Sequence, residues 1–282
     1  MRTHQIVIIG TGRAGKARKK AVQAISKTAL RRSFSIRNDS TEAIEGELQS
    51  SLTDLVIVCT ENSLHFSFIQ KSLLAQKDVL VEFPLVNSSQ EAQELFDLAE
   101  RNNSVLLCEC IALLTPAHQR RREMLKQEQW CEIRIEFQAN SYRWIEEEQK
   151  KGHVGQLAIG RLQAVWDLLG ELVLKQVLFL QLELGYQVTI FLEDQMGRKI
   201  LLEEKREREL SRKSAWFLDG EMFPKELLLP DRPLFESDLE RCMQHIQGAE
   251  EYYLSKEACL GVLKLAEQIS AACHSNEEKT AK

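Results

Sequence analysis

A run of apolar residues at 5–9 leads directly into Gly10-Thr11-Gly12-Arg13-Ala14-Gly15, and no other feature limits the fold of this chain as tightly. The glycines fall in the spacing G-x-G-x-x-G. After a strand and before a helix, that spacing builds the first turn of a βαβ unit that cradles a pyrophosphate. Gly10 permits the tight turn, Gly12 lets the backbone approach the anion, and Gly15 lets the helix pack on the strand. The anion then rests at the helix N-terminus, with Thr11, Arg13 and Ala14 completing the loop. The segment reads as dinucleotide-binding.

The rest of the first half supports that context. Apolar runs at 5–9, 33–37, 55–59, 78–82 and 104–109 alternate with helical stretches at 13–30, 64–75 and 88–102. In the last stretch Leu95, Phe96, Leu98 and Ala99 form a helical stripe, with Ser88 or Ser89 as N-cap. Runs such as Leu55-Val56-Ile57-Val58-Cys59 are apolar without alternation, as in a parallel sheet covered on both faces. This predicts an α/β domain of the Rossmann type, a doubly wound parallel sheet. Beyond residue 125 the pattern changes. Segments 131–137, 180–184 and 186–193 alternate apolar and polar residues, as half-buried antiparallel strands do, and a turn at Gly197 leads into a further strand at 199–203. Helices are expected at 154–169, 234–247 and 256–274. The chain thus divides into an NADP-binding domain over 1–125 and an α+β substrate domain over 126–282 with a mostly antiparallel sheet. The C-terminal helix is available to pack back on the first domain.

The end of strand two selects the cofactor. An NAD site places Asp or Glu there, to accept from the ribose 2′-hydroxyl. This chain has Ser35-Ile36-Arg37-Asn38. Arg37 suits a 2′-phosphate, helped by Ser35 or Asn38, so NADPH is the expected cofactor. NADH stays open through Asp39 if the strand runs two residues longer. Arg31 and Arg32 are read as ending the preceding helix.

With 282 residues, 44% hydrophobic and 28% charged, the chain has the composition of a globular protein. A net charge of −5 offers no case for a nucleic-acid partner. No stretch of 18 apolar residues is present, so no membrane partner is expected. The seven cysteines are odd in number and scattered, as free thiols in a cytoplasmic protein are. Cys108-Glu109-Cys110 has no second pair of ligands nearby in sequence, so no metal is expected.

Several further segments resemble the biliverdin reductases, a branch of the Rossmann oxidoreductases that includes glucose–fructose oxidoreductase and inositol dehydrogenase. They are the glycine loop with Arg18, Glu61-Asn62-Ser63-Leu64-His65, Val79-Leu80-Val81-Glu82-Phe83-Pro84, and Ala92-Gln93-Glu94-Leu95. Glu109 with Leu113-Leu114, Gly160-Arg161-Leu162, Leu168-Leu169-Gly170-Glu171-Leu172, Cys259-Leu260-Gly261 and Cys273-His274 continue the series. The resemblance implies hydride transfer from NADPH to the central methine bridge of biliverdin, giving bilirubin, with the second sheet as the wall on which the tetrapyrrole lies. Sugar and inositol dehydrogenases carry Glu-Lys-Pro after strand four. Here the triplet is Glu82-Phe83-Pro84, and phenylalanine has no transferable proton. The biliverdin reductases in turn have Tyr at the Phe83 position and Glu-His-Val-Glu-Leu-Leu where this chain has Glu109-Cys110-Ile111-Ala112-Leu113-Leu114.

The resemblance also assigns residues. Arg161 matches the arginine that faces the bilin and directs a proton to a pyrrole nitrogen, or is a surface arginine near a helix N-terminus; Glu109 lies at the ligand edge of the parallel sheet as the second catalytic group, or is a buried structural carboxylate. Cys59, Thr60, Glu82, Phe83 and Pro84 line the cofactor, and His65 either touches the nicotinamide ribose or a bilin carboxylate or, as a lone histidine, simply starts a helix. Lys205, Arg206, Arg208, Arg212 and Lys213 offer one or two partners for propionates, the rest forming a solvated face. Trp144 and Trp216 could stack on the substrate or simply pack. Lys16-Ala17-Arg18-Lys19-Lys20 reads as an exposed helix face.

Overall fold

β1 (His4–Ile9) is buried over its last four residues, and everything in the first half of the chain is arranged around it. The computed structural model describes residues 3–127, 130–140, 154–223 and 229–280. Two compact units emerge. One holds Met1–Thr115 with Leu229–Leu260, the other Pro116–Leu228 with Gly261–Lys282.

The first unit carries a five-stranded sheet in the order β2-β1-β3-β4-β5, parallel throughout. Its strands are β1, β2 (Thr28–Phe34), β3 (Leu55–Val58), β4 (Asp78–Val81) and β5 (Leu106–Cys108). The helices between them are α1 (Arg13–Ala24), α2 (Thr41–Leu48), α3 (Asn62–Leu74) and α4 (Ser89–Arg101). Serine caps open two of these: Ser40 accepts from the Ala43 N–H at 3.2 Å and Ser88 from the Glu91 N–H at 3.1 Å. β3 is buried at every position, which explains its unbroken apolar run. The strand order reverses direction at β1, and in such sheets ligands bind beyond the C-terminal ends of the strands at that point.

β2 departs from expectation. The helix before it stops at Ala24, where the Thr28 hydroxyl donates to the Val22 and Ile25 carbonyls at 2.7 and 2.9 Å. The strand therefore begins at Thr28 instead of residue 33, and Arg31 and Arg32 belong to it instead of ending the helix. As the sheet's outer strand it tolerates their charges, which hid it from an apolar search. Ser35, Arg37 and Asn38 consequently lie in the turn after β2. α2 was not anticipated at all.

Residues Leu229–Leu260 bring α7 (Leu234–Ile246) and the start of α8 (Lys256–Thr280) to the first unit. α7 packs against α1. The first unit is thus discontinuous in sequence, and the compact units part at 115/116, whereas the sequence pattern put the boundary at 125/126.

The second unit has α5 (Pro116–Gln127), α6 (Val154–Leu169) and a six-stranded sheet in the order β11-β10-β6-β9-β8-β7. The strands are β6 (Glu132–Asn140), β7 (Leu172–Leu182), β8 (Gly185–Asp194), β9 (Lys199–Glu207), β10 (Lys213–Leu218) and β11 (Glu221–Met222). All neighbours are antiparallel except β6 and β9, which run parallel from Glu132↔Lys199 to Asn140↔Glu207. The sheet is therefore mixed, more than the alternation alone suggested. β6 is parted in sequence from both of its partners and slots between them, which a reading of consecutive hairpins does not foresee. Along β6 and β9 every second residue is buried, so one face is covered and the other is partly open. No helix among the described residues is long and apolar enough to cross a membrane.

Candidate active site

The glycine loop closes β1 and opens α1. Gly10 has φ +111°, and a Cβ there would lie 2.2 Å from the Cys59 carbonyl oxygen. A Cβ on Gly15 would lie 1.9 Å from the Gly10 carbonyl oxygen. The fold itself therefore demands both. Gly12 is different: a Cβ there would meet nothing within 4 Å. It caps α1 with extended backbone and no side-chain cap, and no acidic residue occupies the first turn. Gly12, Thr11 and Arg13 are all exposed, while Ala14 is half-buried. An open space beside the N-terminus of a twelve-residue helix, kept free of side chain without structural need, fits the pyrophosphate of a dinucleotide.

The turn after β2 is held by its own hydrogen bonds. The Ser35 N–H donates to the Asp39 carboxylate at 2.7 Å, and the Ser35 carbonyl accepts from the Asn38 and Asp39 N–H groups at 3.0 and 2.8 Å. Asp39 is thereby turned onto the backbone. Arg37 and Asn38 stay exposed, and Arg37 forms no ion pair among the described residues. The groups on offer here are cationic and amide, a set that fits a 2′-phosphate better than a ribose hydroxyl.

Beneath the loop lies a buried charge cluster that sequence reading missed. Arg18 has no exposed surface, although its neighbours Lys16, Lys19 and Lys20 do. Its Nε donates to Glu82 at 2.7 Å, its Nη1 donates to Asp238 of α7, and its guanidinium lies 4.7 Å from the Phe235 ring centre. Asp238 also accepts from Tyr252 Oη at 2.5 Å and Tyr253 Oη at 2.6 Å, and Tyr253 Oη accepts from the Cys110 N–H at 2.9 Å. Burial opposes the charge on Arg18, but Asp238 and Glu82 outweigh it and hold the guanidinium protonated. Helical spacing offered a clue: Arg18 shares a face with Gly15, Ala21 and Val22, all buried.

Glu109 follows β5 and is 1% exposed, its Oε1 accepting from the Ile111 N–H at 2.5 Å. Burial, then the charge of Glu82, push its carboxyl up to about 8. It is thus protonated at neutral pH, at the ligand edge of the sheet. Cys59 is buried next to Glu82, its Sγ 4.0 Å from Glu82 Oε1, and burial pushes its thiol far up as well. That makes it an inert wall, not a nucleophile. His65 has no exposed surface. Its ring nitrogens lie 2.9 Å from the Pro84 carbonyl oxygen and 3.2 Å from that of Thr60, and burial lowers its pKa. His65 so positions Thr60 and Pro84 and has no surface of its own to offer a ligand. Phe83 is 45% exposed and Pro84 buried, joined by a cis peptide bond.

In the second unit Arg161 is on α6, mostly buried. It donates to the Leu157 carbonyl at 2.6 Å and to Glu204 of β9. Arg206, expected on a solvated face with its basic neighbours, is buried and donates to the same Glu204 at 2.5 Å. Trp216 is buried beneath Arg121, and Trp144 falls outside the described residues.

Residues 4–109 match an oxidoreductase family with an NAD-binding Rossmann fold. Over nearly its full length the chain is similar to biliverdin reductase A of Mus musculus, 28% identical over 286 residues that span 95% of this chain and 96% of that protein. Biliverdin reductase A of Homo sapiens is 27% identical over 290 residues, spanning 96% and 97% respectively. Among solved structures, biliverdin reductase of Synechocystis sp. PCC 6803, in complex with biliverdin and NADP+, matches with a TM-score of 0.81 at 22% identity, over 96% of this chain and 99% of that one. The expected Rossmann domain and oxidoreductase class both stand on these matches.

Proposed function

We propose that this NAD(P)-dependent oxidoreductase reduces biliverdin at its central methine bridge to give bilirubin, with NADPH as the reductant. The observation that carries the reading is the end-to-end similarity to biliverdin reductase A, which leaves neither half of the chain unmatched. Two features of the site support it. Phe83 follows Glu82 and supplies no proton for alcohol oxidation, and Glu109 holds one at neutral pH.

Each part of the site then has a task. The Gly12 backbone and the first turn of α1 hold the pyrophosphate, with Gly10 and Gly15 shaping the loop. Arg37, with Ser35 and Asn38, takes the 2′-phosphate and so prefers NADPH over NADH. Thr60, Glu82, Phe83 and Pro84 form the wall for the nicotinamide, with Cys59 packed behind them. When bound, that ring supplies a hydride to the methine carbon, while a pyrrole nitrogen gains a proton. Arg161 hydrogen-bonds the bilin and directs that proton from water, because a guanidinium itself gives up protons reluctantly. Glu109, protonated at neutral pH, holds at the edge of the parallel sheet a proton that can replace the one the bilin takes from water. All the cysteines are free thiols and six are buried, which supports work in the reducing cytoplasm.

Mixing the protein with biliverdin and NADPH without oxygen tests the reading. The long-wavelength band of the bilin should disappear, faster with NADPH than with NADH. A band that persists at saturating NADPH overturns it, and a bound cofactor with no bilin turnover would mark a nucleotide sensor instead.

A further inference from the structure

Two residues of α7 fix the Arg18 guanidinium. Nη1 donates to the fully buried Asp238, and the ring of Phe235 lies 4.7 Å away. Asp238 is braced in turn. Its other oxygen accepts from Tyr252 Oη and Tyr253 Oη, whose rings lie 4.3 Å apart. Three donors on one buried side chain suit a carboxylate, which only accepts. With Nη1 fixed there, Nε meets Glu82 at 2.7 Å, while Nη2 is buried without an acceptor among the described residues. A buried N–H left unmet is unfavourable, so the guanidinium is set for its two partners and not for its own hydrogen bonding.

Glu109 is a third carboxyl at the same place. It faces Glu82 beyond β4, Arg18 of α1 and Asp238 of α7, with the buried thiols of Cys59 beyond β3 and Cys108 of β5. The Cys110 N–H beside it donates to Tyr253 Oη, so the brace of Asp238 reaches the backbone that carries Glu109. One guanidinium among three ionised carboxyls would leave two net negative charges in a buried space, which desolvation opposes. One carboxyl therefore keeps a proton, and the position of Arg18 decides which. Glu82 has the guanidinium in hydrogen-bond contact, whereas Glu109 accepts from the Ile111 backbone N–H.

We propose that Asp238 is a positioning residue for the reduction: by anchoring the Arg18 guanidinium on Glu82, it makes Glu82 the carboxylate of the site and Glu109 the acid. This role deepens the function proposed above and rests on it. Glu82 then sets a negative charge in the nicotinamide wall, where positive charge develops as hydride leaves, and Glu109 keeps the proton that replaces the one the bilin takes. Without the anchor the guanidinium is free to turn its unmet N–H toward Glu109, which then gives up its proton at lower pH.

Two readouts against pH test the anchor. The infrared C=O stretch of a protonated carboxyl, assigned by its loss in Glu109→Gln, follows the Glu109 proton without substrate, and kcat/KM for bilin reduction follows it in turnover. In the wild type both should fall as pH rises through about 8. Asp238→Asn keeps the size of the side chain and removes its charge, so both should fall at a pH lower by about one unit or more. Tyr252→Phe removes one brace and no charge, and should move both the same way by less. A merely structural role would lower the rate and leave the titration where it was. A band that survives in Glu109→Gln, or a band and rate that titrate at the wild-type pH in the variants, overturns the anchor. If Asp238→Asn does not fold, Tyr252→Phe decides by the same criterion. A band that moves with no bilin reduction at any pH would uphold the placement of the proton and overturn the reaction.

Discussion

Gly12 and Gly15 stand three residues apart and answer to different constraints. Gly15 is wedged against the Gly10 carbonyl, so Gly15→Ala must displace backbone and should cost about 1–3 kcal/mol or more. Gly12 faces open space with φ −68°, so Gly12→Ala should change stability by no more than about 1 kcal/mol. Its added methyl nonetheless occupies the space given to the pyrophosphate, and NADPH affinity should fall at least tenfold. Thermal unfolding beside a cofactor titration distinguishes the two, and a Gly12→Ala protein that binds NADPH normally would remove the loop from the site. Glu109 makes a prediction in pH. Its folded carboxyl titrates near 8, above the ordinary value of 4.5, so the folded chain holds a proton that the unfolded chain has released between those values. The contribution is complete below the unfolded value and is lost as pH rises toward 8. Stability should therefore decline by about 1.4 kcal/mol per pH unit across that window from this group alone. Glu109→Gln should flatten the decline, measured by denaturant unfolding from pH 5 to 8.5.

At the scale of elements, the turn after β2 is the place where cofactor choice can be rewritten. Its shape comes from Ser35 and Asp39 through the backbone, so the exposed Arg37 side chain can change without unravelling it. Arg37→Glu should cut the NADPH/NADH ratio of kcat/KM by at least tenfold, since one charge-assisted contact to a phosphate is replaced by repulsion. An unchanged ratio would exclude Arg37 from the 2′-phosphate site. The same turn shows what sequence could convey. β3 and β4, buried by helices on both faces, announce themselves as apolar runs, and the glycine loop is local enough to be read whole. β2 does not, because an outer strand with Arg31 and Arg32 carries no such run. In β9 the signal was present: Glu204 and Arg206 are in phase with Ile200 and Leu202, so strict alternation places two charges on the covered face. Arg18 was also in phase with its buried neighbours on α1. Its partner Asp238 lies 220 residues away, beyond any local pattern, and so the cluster that supports the loop stayed hidden.

For the molecule as a whole, the return of Leu229–Leu260 to the first unit decides which pieces are self-sufficient. A chain cut after residue 125 keeps the five parallel strands but strips Arg18 of Asp238 and of the α7 surface that covers it, leaving the guanidinium with Glu82 alone. Removing one partner of such a pair typically costs about 3–5 kcal/mol, comparable to the total stability of many domains. Residues 1–125 alone should show no cooperative thermal transition by circular dichroism. Residues 1–115 joined to 229–260 by a short flexible linker should show one, and a sharp transition from the shorter piece would refute the dependence on α7. This discontinuity also sets a schedule for the ribosome. The glycine loop emerges first, yet the helix it opens cannot bury its arginine until Asp238 has been made, after the whole of Pro116–Leu228. At roughly 5–20 residues per second, that interval is on the order of ten seconds. During it the nascent cofactor domain has Arg18 paired with Glu82 alone and not yet covered by α7, a stage at which chaperones have a defined surface to hold.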